Sequence, residues 1–103
     1  MKKIFVCSPF AGEIDRNVRI AKKLCRMVME AGNAPFAPHL LYPRFTDDSD
    51  PSQRAAGIAC GLAFMENCDE VWAFTGNGIS SGMRREIEHA RHLGKPVVGI
   101  AEV

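Results

Sequence analysis

The stretch Glu70-Val71-Trp72-Ala73-Phe74-Thr75-Gly76-Asn77-Gly78-Ile79-Ser80-Ser81-Gly82-Met83-Arg84-Arg85-Glu86 reads as an apolar strand, a Gly/Ser loop and the opening of a helix. A loop at a helix start leaves backbone N–H groups unpaired, and serine hydroxyls beside them add further donors. In one reading a phosphate or carboxylate docks on these groups, next to Glu86 about one turn into the helix. In the plainer reading Ser80 or Ser81 is the N-cap and Glu86 is a solvated helix residue. Taken alone, the segment leans to the plainer reading.

Outward from this stretch the same alternation continues. Ile4-Phe5-Val6-Cys7, closed by Ser8-Pro9, has the pattern of a strand buried on both faces and is expected to be the first, central strand. Asp15 is placed to cap a helix to about Ala31, with Ala21, Leu24, Cys25 and Val28 inward and Gly32 as its stop. Ala34-Pro35-Phe36 suits an edge strand, where proline is tolerated. No period holds from Pro38 to Ser49. Asp50-Pro51-Ser52-Gln53 then reads as an N-cap, a proline at N1 and a glutamine at N3, a capping-box arrangement. Its helix is expected to turn Ala55, Ile58, Ala59, Leu62 and Met65 inward and to fade near Asn67. The helix after the Gly/Ser loop runs to about Leu93, with Met83, Ile87 and Ala90 inward, and Pro96-Val97-Val98-Gly99-Ile100 closes the sheet. Strands alternating with helices of this length imply right-handed crossovers and a parallel sheet. The fold class is a small doubly wound α/β domain, three-layered, flavodoxin-like or Rossmann-like, with helices on both faces.

The 103 residues, 47% of them hydrophobic, suffice for one core, so residues 1–103 are read as one domain. Thirteen Lys+Arg against twelve Asp+Glu give a net charge of +1, which supplies no bulk field for nucleic acid or an anionic membrane. The apolar run behind Met1-Lys2-Lys3 is too short for a signal-peptide core or a membrane span, so a soluble, cytoplasmic protein is expected. Cys7, Cys25, Cys60 and Cys68 form no C-x-x-C pair; buried reduced thiols are expected, and neither a disulfide nor a metal site.

Ligands of such sheets sit at the carboxyl ends of the strands. The expected walls are Ser8 to Gly12, the loop around His39, and Thr75 to Gly82. Ser8-Pro9-Phe10-Ala11-Gly12 offers a hydroxyl, an aromatic face and a glycine, yet lacks the G-x-G-x-x-G dinucleotide fingerprint, so no cofactor is expected. A structural turn explains this loop as well as a ligand contact does; beside the second Gly/Ser loop the ligand reading gains ground. Glu86, near the positive helix end and preceded by Arg84 and Arg85, is expected to be ionised, as attack on an anomeric carbon requires. Asp69 is a candidate second acid, or a turn cap at the strand entry. His39 is a general acid, a base-pocket hydrogen-bonder or a loop residue with a satisfied ring. Tyr42 and Arg44 are candidates to line the pocket from the long loop, whereas Asp47, Asp48 and Asp50 read as capping and solvated residues.

With these residues in view, the chain resembles the nucleoside 2-deoxyribosyltransferase-like superfamily, which includes nucleoside 5′-monophosphate N-glycosidases. The resemblance spans nearly the whole chain in element order and is most specific at Ser80-x-Gly82-x-x-x-Glu86, Ala90 and the Gly94-Lys95-Pro96 turn. It implies Glu86 as nucleophile on the sugar, Ser80 and Gly82 at the 5′ end or its phosphate, and Ser8, Phe10 and Gly12 around the nucleoside. It also implies an acidic role for Asp69, a nucleoside or nucleotide as the small-molecule partner, and a homo-oligomer. Arg84 and Glu88 stand where members of the superfamily carry small residues. Two functions follow: an N-glycosidase or 2-deoxyribosyltransferase, or a non-catalytic nucleotide-binding module of the same fold.

Overall fold

β1 (Lys3–Cys7) is the spine of the protein. A computed structural model, describing Met1–Val103, pairs it in parallel with β2 (Ala34–Phe36) on one side and β3 (Glu70–Phe74) on the other. β4 (Val97–Ile100) adds to β3, and the all-parallel order is β2-β1-β3-β4. Because strand side chains alternate, β1 feeds two cores. Ile4 and Val6 pack with Ile20, Leu24 and Val28 of α1 (Ile14–Glu30) on one face. Phe5 and Cys7 pack on the other face with Met65 of α2 (Pro51–Met65) and with Met83 and Ala90 of α3 (Ser81–His92). The expected three-layer α/β architecture is the one observed.

Local differences have physical causes. α1 begins one residue before Asp15, which lies exposed in its first turn, and the N-cap position is Glu13, without a capping side-chain bond. The loop is closed instead from inside: buried Asn17 donates from Nδ2 to the carbonyls of Phe10 at 3.0 Å and Ala11 at 3.2 Å. At α2 the cap is Asp50, whose carboxylate accepts the Ser52 N–H at 2.9 Å. Gln53 does not complete a reciprocal box; its Oε1 accepts the Asp47 N–H at 2.7 Å and ties down the preceding loop. The aperiodic stretch contains two 3₁₀ turns, Pro38–Leu40 and Tyr42–Arg44.

α2 turns the expected Ile58, Leu62 and Met65 inward but not Ala55 and Ala59. Ala55 and Ala59 are exposed, and Gly61 and Met65 are buried, with Gly57, Ile58 and Leu62 half-buried. Steric fit decides this, since the glycines allow close approach to the loop wall: a Cβ on Gly61 would lie 3.2 Å from Pro38 Cβ, and one on Gly57 3.5 Å from Tyr42 Cβ. Cys60 sits on the exposed side rather than in the core, while Cys7 and Cys68 are buried and all four thiols are free.

Gly76, in the β3–α3 loop, has no room for a side chain. A Cβ there would stand 2.5 Å from the Ala101 carbonyl oxygen and 2.5 Å from Phe74 Cζ. Gly76→Ala is therefore expected to cost about 1–3 kcal/mol, read as a lowered urea midpoint with unchanged slope. An unchanged midpoint would show that the loop moves aside freely.

Candidate active site

Three loops leave the carboxyl ends of β1, β2 and β3 and meet α2 and α3 around one cleft. It encloses about 810 Å³ of empty space, part of it open to solvent. Phe10 and Ala11 come from the first loop, Pro38, His39, Tyr42, Thr46 and Asp48 from the second, and Ser80, Ser81 and Gly82 from the third. Gln53, Arg54, Gly57, Ile58 and Gly61 of α2 and Glu86 of α3 complete the wall.

Glu86 lies on the buried face of α3 between Met83 and Ala90 and is 7% exposed. Its Oε1 has no hydrogen-bond partner. Burial pushes the carboxyl up to about 8, against the lowering influence of the Cys7 thiol and the Arg85 charge. The expectation of an ionised Glu86 is thus corrected, because burial favours its protonated form. Desolvation exceeds the arginine attraction, and the helix-end field fades within the first turn, which Glu86 lies beyond. Arg84 and Glu88 are exposed and line no part of the cleft, so neither crowds Glu86.

The N-cap half of the plainer reading is observed, whereas Glu86 is buried and not a solvated helix residue. Ser80 is the N-cap of α3, its Oγ accepting the Met83 N–H at 3.2 Å, and it also lines the cleft. An accepting hydroxyl keeps its own proton free to donate. Gly82 lies on the same wall. Phe10 and His39 stack with ring centroids 5.2 Å apart and planes at 25°. Burial lowers the His39 ring below the ordinary histidine range, while Asp48 and a bond to the Ser8 backbone pull it upward and Arg54 pulls it down.

The remaining candidates are not all gathered here. Ser8 is 1% exposed, is absent from the cleft wall, and its Oγ is buried without a partner. It follows directly on β1, and what it offers the site is its backbone contact to His39. Gly12 also lies off the wall; at φ +94° it makes the turn into α1, a conformation that favours glycine. Asp69 is at the opposite end of the sheet, its carboxylate accepting the Lys3 N–H at 2.7 Å, which ties the start of β1 to the entry of β3. Arg44 bonds back to the Leu40 carbonyl at 2.8 Å and is likewise off the wall.

Other groups take their place. Asp48 is the second carboxylate of the cleft, and Arg54 its cation. Arg54, Ser81, Gly82 and Arg85 continue into an adjoining groove between the starts of α2 and α3. The protein's three ion pairs are Lys2–Glu70, Arg16–Glu13 and Arg26–Glu30, so Arg54 and Arg85 are both uncommitted. Sequence held one signal for Arg54: one turn into a capped helix, it lies next to any ligand at that helix start.

This parallel sheet with its cleft at the strand ends is the nucleoside 2-deoxyribosyltransferase-like fold. Solved structures share it: a 2-deoxyribosyltransferase of Bacillus psychrosaccharolyticus matches with a TM-score of 0.77 at 21% identity, over 98% of this chain and 75% of the other. The 2-deoxyribosyltransferase of Leishmania mexicana matches with a TM-score of 0.69 at 16% identity, over 97% and 64%. The CMP N-glycosidase BcmB of Clostridium botulinum matches with a TM-score of 0.58 at 21% identity, over 95% and 67%. The chain itself belongs to the family described as Domain of unknown function (DUF7768), whose model matches residues 2–100. No curated protein matches it in sequence. No helix is long and apolar enough to cross a membrane.

Proposed function

We propose that the cleft binds a nucleoside or nucleotide and that the protein breaks its N-glycosidic bond, as an N-glycosidase or 2-deoxyribosyltransferase. The observation that carries this reading is the carboxyl of Glu86, buried yet lining the cleft that Ser80 and Gly82 help to wall. In the proposed reaction a Glu86 carboxylate oxygen forms an ester bond to the anomeric carbon as the bond to the base breaks. The electron pair leaves with the base, which takes up a proton from solvent water. Water, or a second base, then attacks the same carbon and loses its proton to solvent, while the ester bond breaks with its electron pair returning to the Glu86 carboxylate. Phe10, backed by His39, provides a flat apolar surface for the base or sugar. Ser80 and the α3 N–H groups hold the 5′ end. Asp48 takes the place that Asp69 held in the sequence reading, as the acidic group near the leaving base.

Two further observations support this reading. The fold is shared with enzymes described as deoxyribosyltransferases and a CMP N-glycosidase. A helix start flanked by uncommitted Arg54 and Arg85 favours an anionic 5′ substituent over a hydroxyl. The test is chromatographic detection of free base after incubation with deoxynucleosides, ribonucleosides and their monophosphates. Release from at least one of them supports the reading. Saturable binding with no release supports the non-catalytic nucleotide-binding module instead. If a monophosphate is the substrate, Arg54→Ala is expected to raise its KM roughly tenfold or more and to leave the matching nucleoside little affected. Equal effects on both would remove Arg54 from phosphate recognition.

A further inference from the structure

Cys7 is the last residue of β1, fully buried, and points to the α3 side of the sheet. Its Sγ lies 3.8 Å from the carbonyl oxygen of Met83. One turn on, the same face of α3 carries Glu86, buried in the same layer with its Oε1 lacking a hydrogen-bond partner. The other thiol of this core cluster, Cys68, is directed to the Phe64 carbonyl at 3.6 Å. Cys7 is therefore one weak donor set between two acceptors, a backbone carbonyl and a buried carboxyl with one orphaned oxygen.

We propose that Cys7 is a positioning residue for Glu86: its S–H rests on the Met83 carbonyl while Glu86 is protonated and turns to the Glu86 carboxylate when that group ionises. No covalent bond changes and the sulfur keeps its proton throughout. A saturated side chain of similar size would fill the same space but leave the buried carboxylate without a donor from the strand side. The proposal rests on the functional reading above only for its effect on turnover.

The charged and titratable groups around Glu86 are few. Arg85 stands on its own helix; His39 from the loop after β2, Asp48 from the loop before α2, and Arg54 on α2 share its cleft. Cys7 is the one that faces it from the sheet. Its thiol is itself pushed above the ordinary cysteine range, by burial first and by Glu86 second, so it acts as a donor and not as a thiolate.

The experiment is a carbon-13 NMR titration of the Glu86 side-chain carboxyl, assigned with Glu86→Gln, in the wild type, Cys7→Ser and Cys7→Val. The midpoint is expected to fall in the serine variant, a stronger donor, and to rise in the valine variant, by about half a unit or more each way. Valine and wild-type midpoints that coincide, or a serine midpoint that rises, overturn the proposal. Should the valine variant not fold, the S–H stretching band of the wild type decides. It must shift with the Glu86 midpoint and stay fixed in Glu86→Gln, and a band that ignores pH overturns the proposal. Base-release profiles should shift in the same order. Ordered NMR midpoints without any base release sink the glycosidic reading and spare the pairing; base release with unmoved midpoints does the reverse.

Discussion

Glu86→Gln is expected to fold, to bind nucleotide as the wild type does, and to release base at least about a thousandfold more slowly. Glutamine keeps the shape of a protonated glutamic acid, and the protonated form is the one this buried site favours at neutral pH, so packing against Met83 and Ala90 is preserved. What is lost is the oxygen nucleophile. The measurement is single-turnover base release alongside a binding isotherm. Retained turnover would transfer the chemistry to another group, and loss of binding together with turnover would make Glu86 a ligand contact of the binding-module reading.

The same residue should dominate how stability responds to pH. Its folded carboxyl is raised to about 8 from a reference of 4.5, so between these values the folded protein holds a proton that the unfolded chain releases. The contribution is fully present below the unfolded value, declines as pH rises, and is lost once pH passes the folded value. Wild-type Tm should therefore fall between about pH 5 and 8 relative to Glu86→Gln, leaving the variant the more stable protein at pH 9. Each kcal/mol of difference reads as about 4–8 °C in a domain of this size. His39 and the buried thiols also titrate between folded and unfolded states, and subtracting the variant's curve removes them. Parallel curves across this range would mean that Glu86 is not desolvated. Base release should rise with pH toward about 8, because the attacking form is the ionised one.

Periodicity made the scaffold readable because each strand of the sheet is a short apolar run and α1 and α3 each end at a glycine stop. β1 and α3 are the clearest cases, the latter bounded by a Ser80 cap and a Gly94 turn. α2 misled, since its sequence is apolar nearly all round and two glycines, invisible to a hydrophobic pattern, decide which side packs. Loop placement at the strand ends, together with the family resemblance, pointed to Ser80, Gly82, Phe10, His39 and Glu86, and all five line the cleft. Ser8 could not, because the residue just past β1 is buried off the cleft wall, which hydrophobic pattern does not reveal. Asp69 and Asp48 exchanged places for a related reason: proximity along the chain put Asp69 beside the site, whereas the parallel sheet puts it a full strand length away. The charge state of Glu86 was out of reach, as arginines next in sequence are visible and the low-dielectric wall around a side chain is not.

Base release with methanol as a competing acceptor, with the anomeric configuration of the methyl glycoside assigned by NMR, decides whether a Glu86 oxygen bonds to the sugar before any acceptor does. Two successive displacements through Glu86 predict a product with the configuration of the starting nucleoside. A product of inverted configuration would mean that the acceptor attacks the sugar directly, and would contradict the role given to Glu86.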